Sequence, residues 1–222
     1  MIDKHSIRTR SAAIVFASVL LSLGGFTLFL LSQIRDINER EEVAKLKNTN
    51  QLVLNLIAQT DSILRKQTES WSNALAVSLR GEYALEQEGG APVLKLNGQP
   101  LNDSVKAVDA FSDAGKGNFA TIFAREGDDF VRIATSLKKE DGSRATGTRL
   151  GKEHPAYALV REGKPYVGKA TLFGKSYMTK YEPISDHAGQ ITGIRFVGLD
   201  IMESPEYMKQ TIRKVVLGTS GY

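Results

Sequence analysis

The sequence predicts an α+β protein: one membrane-spanning helix, a long second helix, and then one central sheet of mostly antiparallel strands with small helices in its connections. Three observations carry this expectation. Residues 11–34, SAAIVFASVLLSLGGFTLFLLSQI, hold no charge between Arg10 and Arg35. From Asp36 to about Arg80 there is neither proline nor glycine. After Gly81 the helical spacing gives way to alternating side chains interrupted by turn glycines.

The uncharged run is long enough for a helix of roughly 20 apolar residues to cross the hydrocarbon core. A cleaved secretory signal has an apolar region of only about 7–15 residues, so the run predicts a membrane anchor over residues 11–34. Lys4, Arg8 and Arg10 precede it against Asp3 alone, which assigns residues 1–10 to the cytoplasm and everything after Arg35 to the outside. Apolar residues then recur at Leu46, Val53, Ile57, Leu64, Trp71 and Leu75, lining one face of a helix over residues 35–80. At about 45 residues this helix is about 65 Å long. Two readings of its stripe stand side by side: it covers a sheet, or its membrane-proximal half, with Glu39, Arg40, Glu41, Glu42, Lys45 and Lys47, pairs with a second copy as a dimer stalk.

In the remainder, Val93-Leu94-Lys95-Leu96 runs into the hairpin dipeptide Asn97-Gly98, and Gly89-Gly90 breaks the chain just before. Asp103 is placed to cap a short helix reaching about Phe111. Gly127-Asp128 separates two strands within residues 118–136. A polar loop, a short helix through HPAYALVREG, the strands PYVGKATLFG and KSYMTKYEPI, the turn SDHAGQ and a last strand ITGIRFVGLDI complete the domain.

With 222 residues, 41% hydrophobic and 24% charged, the chain has the composition of a folded protein with a single core. A net charge of +4 with scattered basic residues gives no nucleic-acid footprint, and the lack of cysteine excludes disulfides and thiol chemistry. Gly174-Lys175-Ser176 imitates the end of a phosphate-binding loop. Five residues separate it from Gly168 where the loop needs four, and a strand follows where a helix belongs. His154 and His187 lack metal-ligand spacing, no carboxylate series forms a calcium loop, and no nucleophile stands at motif distance from a base. No metal, cofactor or catalytic role is expected.

Alternation on the strands offers a different use for these residues. Arg132, Lys169, Lys175, Tyr177 and Thr179 are expected to converge on one side of the sheet, opposite the face that packs on the long helix. An arginine fork, lysine charges and a rigid tyrosine hydroxyl together suit a small anion. Any one of these lysines taken singly reads first as an ordinary solvent-facing residue of a half-exposed sheet.

The membrane helix, the long helix, the segment FAREGDDFVRIATSLKKEDGSRATGTRLGKEHPAY, the hairpin PYVGKATLFGKSYMTKYEPI and the closing strand GQITGIRFVGLDI together resemble a Cache domain. Such domains are the extracytoplasmic sensors of bacterial methyl-accepting chemotaxis receptors and related signalling proteins. The resemblance covers about residues 36–203 and implies a PAS-like antiparallel sheet over residues 81–203, with a small-molecule pocket on the sheet and its loops. It implies a carboxylate or amino-acid ligand, cytoplasmic signalling partners, and a sensor outside the bacterial inner membrane, in the periplasm; the expected homodimer comes from the stalk reading of the long helix. It places His154 and Tyr157 on the small helix that roofs the pocket. Residues 204–222 look like the link into a second Cache module. No second membrane helix or output domain follows, so the chain is similar to the sensor end of a receptor, whose output is a chemotaxis bundle, a histidine kinase or a diguanylate cyclase. The competing expectation is a membrane-anchored dimerisation or spacer module that binds no small molecule.

Overall fold

A computed structural model describes residues 4–203 other than 103 and 116, and the side chains of residues 4–15, 17 and 36–42 lie outside that description. The segment 204–222, read as the start of a second module, also lies outside it. The chain divides into two units, residues 1–55 and 56–222. Helix α1 (Lys4–Ser78) contributes to both.

The described part of the first unit is helical. Ser18–Arg35 is long and apolar enough to cross a membrane, with mean hydropathy 1.4 and no part of it buried. Leu21, Phe26, Leu28 and Leu31 are exposed, as a lipid-facing surface requires.

In the second unit, α1 packs on a sheet through Leu64, Trp71 and Leu75, with Thr68 and Ser72 buried beside them. The predicted stripe is thus split: Leu64 and Leu75 are buried, whereas Leu46, Val53 and Ile57 are exposed. Strands β1 (Tyr83–Glu88), β2 (Ala91–Leu96) and β3 (Gln99–Pro100) form a small antiparallel sheet. Asn97 and Gly98 both take positive φ, 51° and 79°, the turn expected of an Asn-Gly hairpin. The expectation of one sheet is corrected here, because Gly89-Gly90 closes a hairpin between β1 and β2 instead of merely interrupting the chain. Helix α2 (Val105–Asp113) follows; Ser104 stands at its N-cap without a side-chain cap bond, and Asp103 lies outside the described residues.

The main sheet contains β4 (Asn118–Glu126), β5 (Asp129–Thr135), β6 (Tyr166–Leu172), β7 (Lys175–Ser185) and β8 (Ile191–Asp200), all antiparallel, in the order β5-β4-β8-β7-β6. Counted within the sheet this is 2-1-5-4-3, a PAS-like arrangement in which the last strand lies at the centre. Both faces are covered. One carries α1, α2 and the small sheet, around Leu75, Val108, Ile122, Ala134, Ile184 and Val197. The other carries α3 (Ala156–Arg161) and the loop before it, around Phe123, Phe130, Tyr157, Tyr181 and Phe196.

That loop also protects the free edge of β5. Arg132 N–H donates to Thr148 O at 2.9 Å, Gly147 N–H returns a bond to Arg132 O at 2.9 Å, and Leu150 N–H reaches Phe130 O at 2.9 Å. Arg144 fastens the loop to α2 with a forked pair of bonds to Asp109, at 2.8 and 2.7 Å.

Candidate ligand-binding site

A bulge in β5 aims the central residue. Ile122 pairs with Ala134, but its neighbour Phe123 pairs with Arg132, so Ile133 is the extra residue. Ile133 and Ala134 both join the α1 face, and Arg132 falls beside Phe123 on the α3 face. Its guanidinium carbon lies 4.8 Å from the Phe123 ring centroid and 5.5 Å from that of Phe173. Nη1 donates to Thr148 Oγ1 at 2.7 Å. Nε is buried and has no acceptor among the described residues. Arg132 is 4% exposed, and no carboxylate among the described residues lies within ion-pair distance of it. A buried guanidinium without a counter-ion is costly, and burial lowers its proton affinity.

Tyr181 borders this group from β7. Register aligns Tyr166, Tyr181 and Phe196 across three strands, and their rings pack at centroid distances of 6.1 and 4.8 Å. His154, at the entry to α3, lies 4.8 Å from the Tyr181 ring, with Nε2 3.2 Å from its hydroxyl. Burial and then Arg132 lower the His154 proton affinity, and burial raises the Tyr181 hydroxyl well above its ordinary value. His154 also lines a surface groove of about 490 Å³ between residues 150–155 and residues 169–171, along the outer edge of β6. It therefore stands between that groove and the aromatic cluster.

Phe173 reaches Arg132 from the tip of the β6–β7 hairpin. Its φ is +49° and that of Gly174 is +78°. Such a turn is ordinary at glycine and strained for an aromatic residue, and strain of this kind is concentrated at functional sites. The two-residue turn also corrects the reading of β6. It pairs Leu172 with Lys175, so even positions of β6 face the same way as odd positions of β7. Lys169 pairs with Met178 on the α1 face, and its Nζ lies 3.0 Å from Asp61 of α1. It does not converge with Tyr177 and Thr179.

Those two do share the Arg132 face. Thr179 is fully buried and donates to Gly168 O at 2.7 Å, so its hydroxyl is used within the sheet. Tyr177 packs edge-on against Phe119 at 5.5 Å, and burial with Asp200 pushes its hydroxyl up to about 12. Lys175 is exposed and sits 3.6 Å from both Asp200 and Glu203, at the C-terminal end of β8. Tyr157 packs in the α3 cluster with its hydroxyl donating to Asp128 O and accepting from Arg161, which fastens the β4–β5 turn. The geometry thus gathers Arg132, His154, Tyr181, Phe123 and Phe173. Phe123, Phe173 and Tyr166 were not among the expected site residues. Tyr181 shares the odd-position run of Lys175, Tyr177 and Thr179, and that run was its signal.

No curated protein matches the chain significantly. The family model of the Cache 3/Cache 2 fusion domain matches residues 32–222. By that match, and in keeping with the long N-terminal helix and the 2-1-5-4-3 sheet, the chain belongs to the Cache 3/Cache 2 fusion family, whose Cache domains are extracytoplasmic small-molecule sensor modules of signalling receptors.

Proposed function

We propose that this chain is the sensor part of a transmembrane receptor that binds a small carboxylate at Arg132 outside the cell and signals to cytoplasmic partners, in chemotaxis. The observation that carries the ligand class is the Arg132 guanidinium, buried against Phe123 and Phe173 with its Nε unmet among the described residues. A bound anion would offset the desolvation of that charge and complete its hydrogen bonds. The chain acts by binding and carries out no catalysis. Lys4, Arg8 and Arg10 before the apolar span favour a cytoplasmic N-terminus, with the sensor outside the inner membrane. The exposed Val43, Leu46, Val53 and Ile57 on α1 favour a homodimer through that part of the helix.

Signalling requires that the ligand bind two states of the protein with different affinity. The route we favour runs from the Arg132 face through the sheet to α1, whose Leu64 packs with Met178 and Leu199 on the opposite face. The test is a thermal-shift screen of the full chain in lipid nanodiscs against small carboxylates. A ligand that binds only the folded state, present at 100 times its Kd, adds about 2.7 kcal/mol of stability. A shift that disappears in Arg132→Ala supports the reading. No shift with any carboxylate from a folded sample refutes it.

A further inference from the structure

The Arg132 site carries information on which kind of carboxylate it takes, and this inference rests on the reading just given. An amino acid presents two charges, so a site for one needs a counter-ion for its ammonium as well as for its carboxylate. No acid among the described residues lies within ion-pair distance of Arg132, and most of those around its face are turned to other work. Asp129 Oδ1 accepts from Phe130 N–H and Gly151 N–H. Glu126 is paired with Arg149. Glu182 lies on the α1 face with Ser72 and Arg195. Asp200 accepts from Met202 and Glu203 N–H and faces Lys175. Glu140 is solvent-exposed beside Gly174. What surrounds Arg132 is aromatic: Phe123, Phe173, and Tyr181 with its neighbours Tyr166 and Phe196.

The protons of the neighbouring pair can be assigned from their partners. Ala156 N–H donates to His154 Nδ1 at 3.1 Å, so that nitrogen bears a lone pair and the imidazole proton is on Nε2. Nε2 faces the Tyr181 hydroxyl at 3.2 Å, which makes histidine the donor and the tyrosine oxygen the acceptor. The tyrosine's own hydrogen then remains to be donated, and it has no acceptor among the described residues. A phenol in this state is a ready donor to an anion beside it.

We propose that the ligand is a small carboxylate without an ammonium group, held jointly by Arg132 and the Tyr181 hydroxyl, and that His154 is a positioning residue that turns the Tyr181 proton towards it. The site selects on charge count: one buried cation and one neutral donor in an aromatic enclosure satisfy a monoanion and strand an ammonium.

The experiment is titration calorimetry of the full chain in nanodiscs with pairs that differ only by the α-amino group: acetate and glycine, propionate and alanine, 3-methylbutanoate and valine, 3-phenylpropanoate and phenylalanine. At least one acid is expected to bind at least about tenfold more tightly than its amino partner, and Tyr181→Phe to weaken that acid about tenfold or more. His154→Leu should lose as much as Tyr181→Phe, whereas His154→Gln, which keeps an N–H donor, should recover part of it. A nitrogen-proton NMR spectrum should show the Nε2–H form in the free protein, independently of how the variants fold. An amino acid that binds as tightly as its partner, with binding still lost in Arg132→Ala, overturns the ligand class and leaves the anion reading intact. Binding by none of the compounds overturns both. Unchanged affinity in Tyr181→Phe, or an Nδ1–H imidazole, overturns the roles given to Tyr181 and His154.

Discussion

Lys169 Nζ stands 3.0 Å from Asp61 Oδ1, and Arg65, which also binds Asp61 at 2.6 Å, donates through Nη1 to Val167 O at 3.0 Å. One turn of α1 is thereby tied to the edge strand that carries Tyr166 on its other face. Arg65 and Lys169 hold the Asp61 carboxyl below its ordinary value, so its contribution is present above pH 3.8 and lost as the pH falls through the lowered value. The partners are about half exposed, so Asp61→Asn should cost less than about 1 kcal/mol. Its larger effect should be local: faster amide hydrogen exchange over residues 166–172, since an edge strand has a neighbour on one side only. Exchange equal to that of the wild type would show that these contacts hold nothing in place.

Arg132 makes a prediction in which stability and binding part company. On the proposed reading, the free protein bears the cost of a buried charge that has no counter-ion among the described residues, and the bound carboxylate offsets it. Arg132→Met removes the charge and keeps much of the volume, losing one bond to Thr148, whose hydroxyl still has Ala145 O as acceptor. The unliganded variant should unfold at the same temperature as the wild type or higher, while binding no carboxylate. A variant that melts well below the wild type would mean that Arg132 is a structural residue.

Much of this architecture was legible in the sequence, because long periodic segments and glycine turns state their structure locally. The helical spacing of Leu64, Trp71 and Leu75, the Asn97-Gly98 hairpin and the strand runs of β4 to β8 are of that kind. The facing of Lys169 was not, because it depends on a two-residue turn at Phe173-Gly174, where an aromatic residue adopts a backbone that residue type disfavours. Arg132 lies, as the alternation predicts, on the face opposite α1, but the bulge that sets its neighbours arises in the pairing with the preceding strand and leaves no trace in the local sequence. The β1–β3 sheet was hidden for a related reason, since Gly89-Gly90 reads equally as a break or as a turn.

His154 gives a pH dependence of known sign. Burial, then Arg132, lowers its folded-state proton affinity below the ordinary value of 6.5. As pH falls below 6.5 the unfolded chain takes up the proton before the folded one does, so stability drops across the window from 6.5 down to the lowered value. Protonation of Nδ1 would also break the bond from Ala156 N–H. Melting temperature recorded between about pH 7.5 and 5 should therefore decline towards acid, and His154→Gln should flatten that decline. Parallel curves for the two proteins would remove His154 from the acid response.

Two glycines on the Arg132 face test how tightly its aromatic layer is packed. Gly168, Thr179 and Gly198 are aligned across β6, β7 and β8, forming a strip nearly bare of side chains over which neighbouring rings lie. A Cβ on Gly198 would stand 2.8 Å from Phe196 Cζ, on a ring that is wholly buried between Tyr181 and its surroundings. A Cβ on Gly168 would stand 2.3 Å from the Tyr166 hydroxyl, the free end of a half-buried side chain. Neither glycine has a positive φ, so alanine itself suits both backbones and restricts the unfolded chain, a gain of about 0.4–1 kcal/mol. Overpacking at Gly198 should outweigh that gain, with Gly198→Ala costing about 1–3 kcal/mol in urea unfolding. Gly168→Ala should be close to neutral, because Tyr166 can swing outwards, but this swing lifts the ring from its contacts with His154 and Tyr181 at 6.2 and 6.1 Å. Gly168→Ala is therefore expected to weaken carboxylate binding more than it alters stability. The reverse order of stability loss, with Gly168→Ala the worse, would show that Tyr166 and not Phe196 is the fixed ring of the layer.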